Sequence, residues 1–333
     1  MDKSKVKILI FGGGAIGSHL TYCLASNKTK VYTICRNKHY NSIKKKGLKL
    51  KIFHNDVLKK EVILKNSKNI IFLNDLNKIK KLKFDYIFIT IKLKDVKEKL
   101  LKNILQHAGK NTAIIPPCTE LPYWWFANIL NKKKKYISKN LYPNKYSKNI
   151  IGMTMWLSGK IINPGETMIS HIQRGYPLKE VNLKMKKKTN FLRKLLSKKV
   201  ISPKVKNIYS EIFIKSINSF AFNLVALKTG YNNLQISRSK KAIKLITKIM
   251  YEFEYIVKRL NIPIYQTINS RIKQTLLSKN HTMSMLNDFN SGRKVEIVNC
   301  WNNLNLLNKA FGTETKLSKK TYYLVMKKIK NVK

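Results

Sequence analysis

The feature that most constrains this sequence is a cluster of glycines between a strand pattern and a helix pattern. The apolar run at residues 6–11 predicts a buried strand, and residues 18–26 can form a helix. Between them, Gly12, Gly14 and Gly17 have the spacing of dinucleotide-binding turns. Such glycines allow a tight bend, backbone approach to a pyrophosphate and close packing of helix on strand. We predict that the whole turn binds a dinucleotide cofactor through Gly12, Gly13, Gly14, Ala15, Ile16 and Gly17.

The end of the second predicted strand indicates which dinucleotide is bound. Residues 31–35 predict this strand at the right distance for a right-handed βαβ unit. An NAD-specific protein has Asp or Glu after it, whereas this chain has Arg36, Asn37 and Lys38. An arginine can hold a 2′-phosphate with paired hydrogen bonds, and a carboxylate would repel it. The sequence therefore predicts NADPH or NADP as the cofactor; the alternative is that Arg36 is one more surface cation.

The distribution of strand and helix patterns predicts two domains. Predicted strands at residues 48–53, 70–73, 86–91, 112–115 and 150–157 alternate with predicted helices at 94–107 and 121–130. Alternation of this kind predicts a doubly wound, mostly parallel sheet. From about Val205 the strand patterns stop and apolar residues recur at helical spacing. We therefore predict an α/β fold, with a Rossmann-type domain over 1–204, an all-helical domain over 205–333, and ligands in the cleft between them.

The net charge has two competing interpretations, a polyanion as binding partner and a bias in codon use. The 333 residues include 68 basic and 16 acidic side chains, for a formal charge of +52, and only seven of the basic residues are arginine. Lys, Asn and Ile share A/T-rich codons, so a coding bias explains the charge without a selected partner. The lysine runs at 132–135 and 186–188 have no aromatic residues between them, as nucleic-acid binding would require. We predict no specific nucleic-acid partner; weak, salt-sensitive adhesion to polyanions is still expected.

The cysteines and the apolar runs indicate the cellular compartment of the protein. Cys23, Cys35, Cys118 and Cys300 form no CxxC pair and have no histidine at metal-ligand spacing, so we predict free thiols and no metal. The first apolar run is too short for a signal peptide, and no run approaches the roughly 18 apolar residues of a membrane span. We expect a cytoplasmic protein without a membrane partner.

Beyond the glycine turn, the chain resembles the ketopantoate reductase family, the NADPH-dependent enzymes that reduce 2-dehydropantoate to pantoate. The resemblance runs through residues 8–18, 33–36 and 85–92, and through Asn163-Pro164-Gly165. The most specific segment is Ser284-Met285-Leu286-Asn287-Asp288, followed by 292–297. Its spacing from Ser284 to Glu296 agrees with the family, and few other reductases share this combination.

The resemblance implies roles for individual residues. Lys215 matches the catalytic lysine of the family, which stabilises the oxyanion formed when hydride reaches a 2-oxo acid and can supply the proton. Lys215 also interrupts an apolar stretch at residues 212–220, so its ammonium must open onto a cavity or find a partner. Asn223, Asn233 and Ser284 match the substrate-binding residues. The cofactor-side residues of the family match Lys92, Thr119 and Glu296.

Two departures from the family pattern leave the substrate open. Thr119 stands where the family usually has an asparagine that touches nicotinamide and substrate, and Ser219 stands at another common asparagine position. A threonine hydroxyl replaces one hydrogen bond of an amide but not both of its functions. Three hypotheses therefore remain: a ketopantoate reductase, a reductase of another 2-oxo acid, and a non-catalytic NADP-binding protein. In each case we expect a monomer or a homodimer, and for the first two a small 2-oxo acid as partner.

Overall fold

The computed structural model describes residues 5–54, 57–117 and 144–331. The chain divides into two compact units. Among the described residues, the first unit ends at Ile208 and the second begins at Tyr209.

The first unit is built on a five-stranded parallel sheet. Its strands are β1 (Val6–Phe11), β2 (Thr29–Ile34), β5 (Ile70–Leu73), β6 (Phe84–Ile89) and β7 (Ala108–Ile115), in the spatial order β5-β2-β1-β6-β7. Helices α1 (Ala15–Leu24), α2 (Asn37–Lys46) and α3 (Glu98–Leu105) lie in the connections. In the central strand β1, Ile8, Leu9 and Ile10 are all fully buried, as expected of a parallel strand covered on both faces. The predicted Rossmann-type sheet is confirmed.

A second sheet contains a strand that the sequence analysis assigned to the first. β3 (Leu48–His54) lies beside β4 (Val57–Leu64), β10 (Glu166–Gly175) and β9 (Trp156–Asn163), in the order β4-β3-β10-β9. β8 (Ile151–Met153) pairs with β11 (Leu178–Glu180). The prediction was therefore wrong about the sheet of residues 48–53 and about a single strand at 150–157. Periodicity shows which side of a strand is buried, whereas distant parts of the chain determine its neighbours.

The second unit is helical throughout its described part, as predicted. Its helices are α5 (Ile208–Thr229), α6 (Asn233–Arg238), α7 (Lys240–Arg259), α8 (Ile268–Leu276), α9 (Ser284–Asn290), α10 (Ile297–Phe311) and α11 (Lys316–Asn331). The C-terminal half of α5 is almost entirely buried, from Phe220 to Leu227. Gly230 follows α5 with a φ of 79°, a left-handed conformation that ends a helix.

Several described helical segments differ from the prediction. The helix predicted at 94–107 is the shorter α3, preceded by a 3-10 turn at Leu93–Asp95. Sequence periodicity missed α4 (Lys186–Leu196) in the first unit and the short α6 and α8 in the second. The helix predicted at 121–130 lies outside the described residues. Among the described helices, none combines the length and the apolar content needed to cross a membrane.

A histidine is sealed into the core of the first unit. His19 on α1 is fully buried, with Nδ1 2.8 Å from the Tyr176 hydroxyl and Nε2 3.6 Å from the Cys23 sulfur. Burial lowers the pKa of His19 from 6.5 to about 4. The native protein therefore holds this ring neutral at a pH where the unfolded chain protonates it.

We expect His19 to make the first unit sensitive to mild acid. As pH falls from 6.5 towards 4, the unfolded state binds a proton at His19 that the native state does not bind, so the free energy of unfolding decreases. The difference between the two pKa values, 6.5 and about 4, corresponds to a loss of about 3 kcal/mol in the free energy of unfolding. Urea denaturation of wild type and His19→Gln at pH 7 and pH 4.5 tests this. The variant should lose much less stability over that interval, and equal losses would contradict the assignment.

Candidate active site

The glycine turn follows β1 at the carboxyl edge of the parallel sheet. The backbone N–H groups of Gly12 and Gly13 both donate to the Ile34 carbonyl at the end of β2, at 3.2 and 2.7 Å. Gly12 has a φ of 119°, which side-chain-bearing residues rarely adopt. A side chain on Gly13 would also collide with the Cys35 sulfur. The turn is thus held between β1 and β2.

The other two motif glycines have the surroundings that a bound pyrophosphate requires. A Cβ on Gly17 would lie 2.0 Å from the Gly12 carbonyl oxygen, so only glycine allows α1 to pack this closely. A Cβ on Gly14 would meet nothing within 4 Å, so space is open at the start of α1. The residue before α1 is Gly14, which has no side chain to cap the N–H groups of the first turn, and uncapped N–H groups at a helix start favour an anion. The residues present therefore fit a dinucleotide.

Two residues that the sequence analysis did not select support this turn. The Thr90 hydroxyl, at the end of β6, donates to the Gly12 carbonyl at 2.7 Å. His39 on α2 accepts the N–H of Gly165 on Nδ1 at 2.9 Å. Desolvation lowers the pKa of His39, and the proximity of the Gly13 backbone partly opposes this effect. Thr90 lies two residues before Lys92 in the strand that matches the family, which is the signal that could have revealed it.

The remaining predicted cofactor residues of the first unit lie at strand ends beside the turn. Arg36 is exposed and precedes α2, immediately after β2 and Cys35. Lys92 is half-buried and follows β6, the neighbour of β1 in the sheet. Thr119 lies outside the described residues.

Lys215 lies in an apolar stretch of helix α5 of the second unit. Its neighbours Ile212, Phe213, Ile214 and Ile217 are buried, and Lys215 itself is only partly exposed. Burial lowers the pKa of Lys215 to about 8. At neutral pH this side chain is therefore a cation that gives up its proton more easily than an ordinary lysine.

Asn223 connects Lys215's helix to Ser284. Its Nδ2 donates to the Ser219 carbonyl at 2.7 Å, and its Oδ1 accepts the backbone N–H of Met285 at 2.9 Å. Both functions of the amide are thereby used inside the second unit. Ser284, the exposed first residue of α9, is placed by this link, so Asn223 orients the serine that the resemblance assigns to the substrate.

Asn233 and Glu296 are buried polar residues on other helices of the second unit. Asn233 donates through Nδ2 to the carbonyls of Thr275 and Ser278, at 2.9 and 3.1 Å. Its Oδ1 is buried and accepts no hydrogen bond from the described residues. Glu296 is 7% exposed and immediately precedes α10. The structure thus groups Asn223 with Ser284 and places Asn233 and Glu296 on separate elements.

The comparisons with known proteins identify the family. Residues 8–117 match the family model described as ketopantoate reductase PanE/ApbA, and residues 207–329 match the model of its C-terminal domain. The chain belongs to the ketopantoate reductase family. This is a family of oxidoreductases, so the predicted resemblance is confirmed.

Individual relatives are distant but match most of the chain. A 2-dehydropantoate 2-reductase of Mesorhizobium japonicum is 24% identical over 306 residues, covering 88% of each chain. The fold is similar to that of 2-dehydropantoate 2-reductase from Geobacter metallireducens, with a TM-score of 0.74, 16% identity and 97% and 99% of the two chains covered. It is also similar to D-mandelate dehydrogenase solved with NADH and anilino(oxo)acetate, with a TM-score of 0.77, 21% identity and 98% and 99% covered.

The structure contains a buried ion pair that was not predicted from the sequence. Arg271 on α8 is fully buried; its guanidinium pairs with Glu254 on α7 and donates to Asn218 on α5 at 3.3 Å. Burial lowers the pKa of Arg271 to about 10. Asn218 lies three residues after Lys215, so this cluster braces the helix that carries Lys215. Arginine is scarce in the chain, which is the signal that could have drawn attention to position 271.

Proposed function

We propose that this protein reduces 2-dehydropantoate to pantoate with NADPH, with hydride added to the C2 carbonyl. The observation that carries the proposal is Lys215, a cation whose neighbours Ile214 and Ile217 are buried and whose pKa is lowered by burial to about 8. Family membership and the open, glycine-lined start of α1 support the reaction class.

Lys215 supplies the electrostatics of the proposed reaction. As the carbonyl carbon is reduced, negative charge grows on its oxygen, and an ammonium group beside that oxygen stabilises the transition state. The same ammonium then donates a proton to the oxygen. A pKa near the working pH favours this donation, since a general acid is most effective when its pKa is close to that pH.

The residues of the first unit hold the cofactor in this proposal. Bound NADPH supplies the hydride. The N–H groups at the start of α1 face the pyrophosphate, and Gly14 leaves room for it. In this proposal Arg36 pairs with the 2′-phosphate, and the resemblance to the family assigns Lys92 and Thr119 to the cofactor. Glu296 of the second unit has the family's role beside the ribose and nicotinamide.

The substrate residues are assigned to the second unit. Ser284 offers an exposed hydroxyl to the substrate carboxylate, and Asn223 holds the start of α9 in place for it. Asn233 is assigned to the substrate by its resemblance to the family, and its Nδ2 is held by the carbonyls of Thr275 and Ser278.

A second candidate function is reduction of a different 2-oxo acid. The threonine at 119 and the serine at 219 favour it, because both replace asparagines of the family pattern. The structural similarity to D-mandelate dehydrogenase agrees with this alternative.

One assay separates the candidates. NADPH absorbance is followed with ketopantoate, phenylglyoxylate, pyruvate and 2-oxoisovalerate in parallel. We expect the highest kcat/KM with ketopantoate. A higher value with another acid would establish the second candidate, and no oxidation with any of the acids would contradict both reductase assignments.

Cofactor choice tests the role of Arg36. We expect wild type to prefer NADPH over NADH, because the guanidinium pairs with a phosphate that NADH lacks. Arg36→Asp should lower the NADPH-to-NADH ratio of kcat/KM by roughly tenfold or more, since a carboxylate repels the phosphate and binds ribose hydroxyls. Lys44→Asp, at an exposed position of α2, the helix that follows Arg36, is the matched control. A ratio of one for wild type would refute the assignment.

A further inference from the structure

The outer face of α7 carries cations and aromatic rings in alternating groups. Six exposed residues follow one another at intervals of three and four: Lys241, Lys244, Lys248, Tyr251, Tyr255 and Lys258. This spacing puts them on one side of the helix. We call the six residues the α7 stripe. It is about 25 Å long, at a rise of 1.5 Å per residue.

Acidic side chains do not offset this charge within α7, all of whose residues are described. Glu252 accepts the backbone N–H groups of Leu317 and Ser318 in the first turn of α11, both at 2.8 Å. Glu254 pairs with the buried Arg271. Both acidic residues of the helix are therefore engaged with neighbouring helices, and its outer face carries only positive charge.

The two tyrosines are available as flat apolar surfaces. Tyr251 is 61% exposed and Tyr255 is 51% exposed. The Arg259 guanidinium lies over the Tyr255 ring, 5.4 Å from its centre, and donates to its hydroxyl at 2.8 Å. This contact restrains the ring, which lowers the entropy lost when a second flat group stacks on it.

The stripe suits a single-stranded nucleic acid better than other partners. Its ammonium groups match phosphates, and its rings match bases, which stack on aromatic side chains whatever their sequence. A membrane-bound helix needs its apolar face in the lipid, whereas the apolar face of α7, including Ile246, Ile249 and Phe253, is buried in the second unit. A second copy of the chain would bring +52 against +52.

We propose that the α7 stripe binds single-stranded nucleic acid without reading its sequence. Phosphates lie at the stripe lysines, and bases stack on Tyr251 and Tyr255. This surface provides the mixture of charge and aromatic rings that the contiguous lysine runs lack. The proposal does not depend on the reductase activity, because none of the stripe residues belongs to the proposed active site.

Fluorescence anisotropy tests the role of the two tyrosines. A fluorescein-labelled 12-nucleotide oligouridylate is titrated with the full chain at low salt. Tyr251→Ala/Tyr255→Ala should weaken binding roughly tenfold or more, and Tyr251→Phe/Tyr255→Phe should retain it. The matched control is Tyr231→Ala/Tyr265→Ala, two exposed tyrosines outside the stripe. Thermal melts establish that each variant is folded. Equal losses in the stripe and control variants would overturn the proposal.

Charge reversal tests the lysines. Lys244→Glu/Lys248→Glu should reduce the slope of log affinity against log salt by about 1.4, because two phosphate contacts are lost. Lys186→Glu/Lys187→Glu makes the same charge change at exposed positions of α4 and should leave the slope unaltered. An equal change in both variants would mean that the charge of the whole protein, and not the stripe, attracts the polymer.

Competition identifies the partner class. Unlabelled oligouridylate and oligothymidylate should compete well, whereas an abasic oligomer of equal charge should compete at least about fivefold less well because it cannot stack. Equal competition by the abasic oligomer, or stronger competition by phosphatidylserine vesicles, would overturn the proposal in favour of a general polyanion or a lipid surface.

Discussion

Replacing Lys215 with alanine is expected to lower kcat by roughly 10² to 10³ while NADPH affinity changes only a few-fold. The ammonium acts on charge that develops in the transition state, and one such contact contributes about 3–4 kcal/mol. Lys228→Ala, an exposed lysine in the last turn of the same helix, is the matched control and should retain wild-type kcat. Steady-state kinetics with NADPH and the best oxo acid measure both values.

The same lysine should determine the alkaline side of the pH profile. Its ammonium is present below the lowered pKa of about 8 and is lost above it, so kcat should fall as pH rises through that value. In Lys215→Arg the guanidinium stays charged, and this fall should disappear even if the maximum rate is lower. A kcat that barely responds to Lys215→Ala would mean that position 215 carries an ordinary lysine.

Replacing Arg271 with methionine is expected to destabilise the protein by about 3–5 kcal/mol, because removing one partner leaves a largely buried carboxylate without its cation. The guanidinium is fully buried, pairs with Glu254, and donates to Asn218. It therefore joins α8, α7 and α5. Urea denaturation followed by circular dichroism measures the change.

The double variant Arg271→Met/Glu254→Met separates the pair from the packing around it. With both charges gone, no carboxylate is left unpaired, so much of the lost stability should return. A single variant within about 1 kcal/mol of wild type would contradict a structural role for the pair. Because Asn218 lies close to Lys215, any stable Arg271 variant should also be assayed for kcat.

Local sequence patterns were sufficient for the elements that carry the proposed chemistry. The strand at residues 6–11, the glycine turn and the apolar helix around Lys215 are all found where the sequence predicts them. Each depends on neighbours a few residues away: a positive φ at Gly12, close packing at Gly17, and helical spacing of apolar residues. The domain order followed from the same patterns.

The partners of those elements could not be predicted in the same way. β3 has a clear strand pattern, yet it pairs with β4 and β10 and not with the parallel sheet. Asn223 is predicted to bind the substrate, and its amide also bonds to the Ser219 carbonyl and the Met285 backbone N–H, contacts that the sequence did not indicate. These contacts are not visible locally, because groups as far apart in the sequence as Lys49 of β3 and Glu166 of β10 are brought together only by packing.

The sequence by itself determined the fold class and the position of the glycine turn, because these follow from short-range periodicity and from motif spacing. Its resemblance to known reductases indicated the family that the family models show. Only the tertiary structure decided that Arg271 is a buried cation joining three helices and that both acidic residues of α7 are engaged with neighbouring helices. It also showed that Lys215 is buried enough to lower its pKa. The physical reason is that burial and charge pairing depend on which distant residues pack around a side chain. Sequence periodicity shows only that one face of an element is buried, and not which residues cover it.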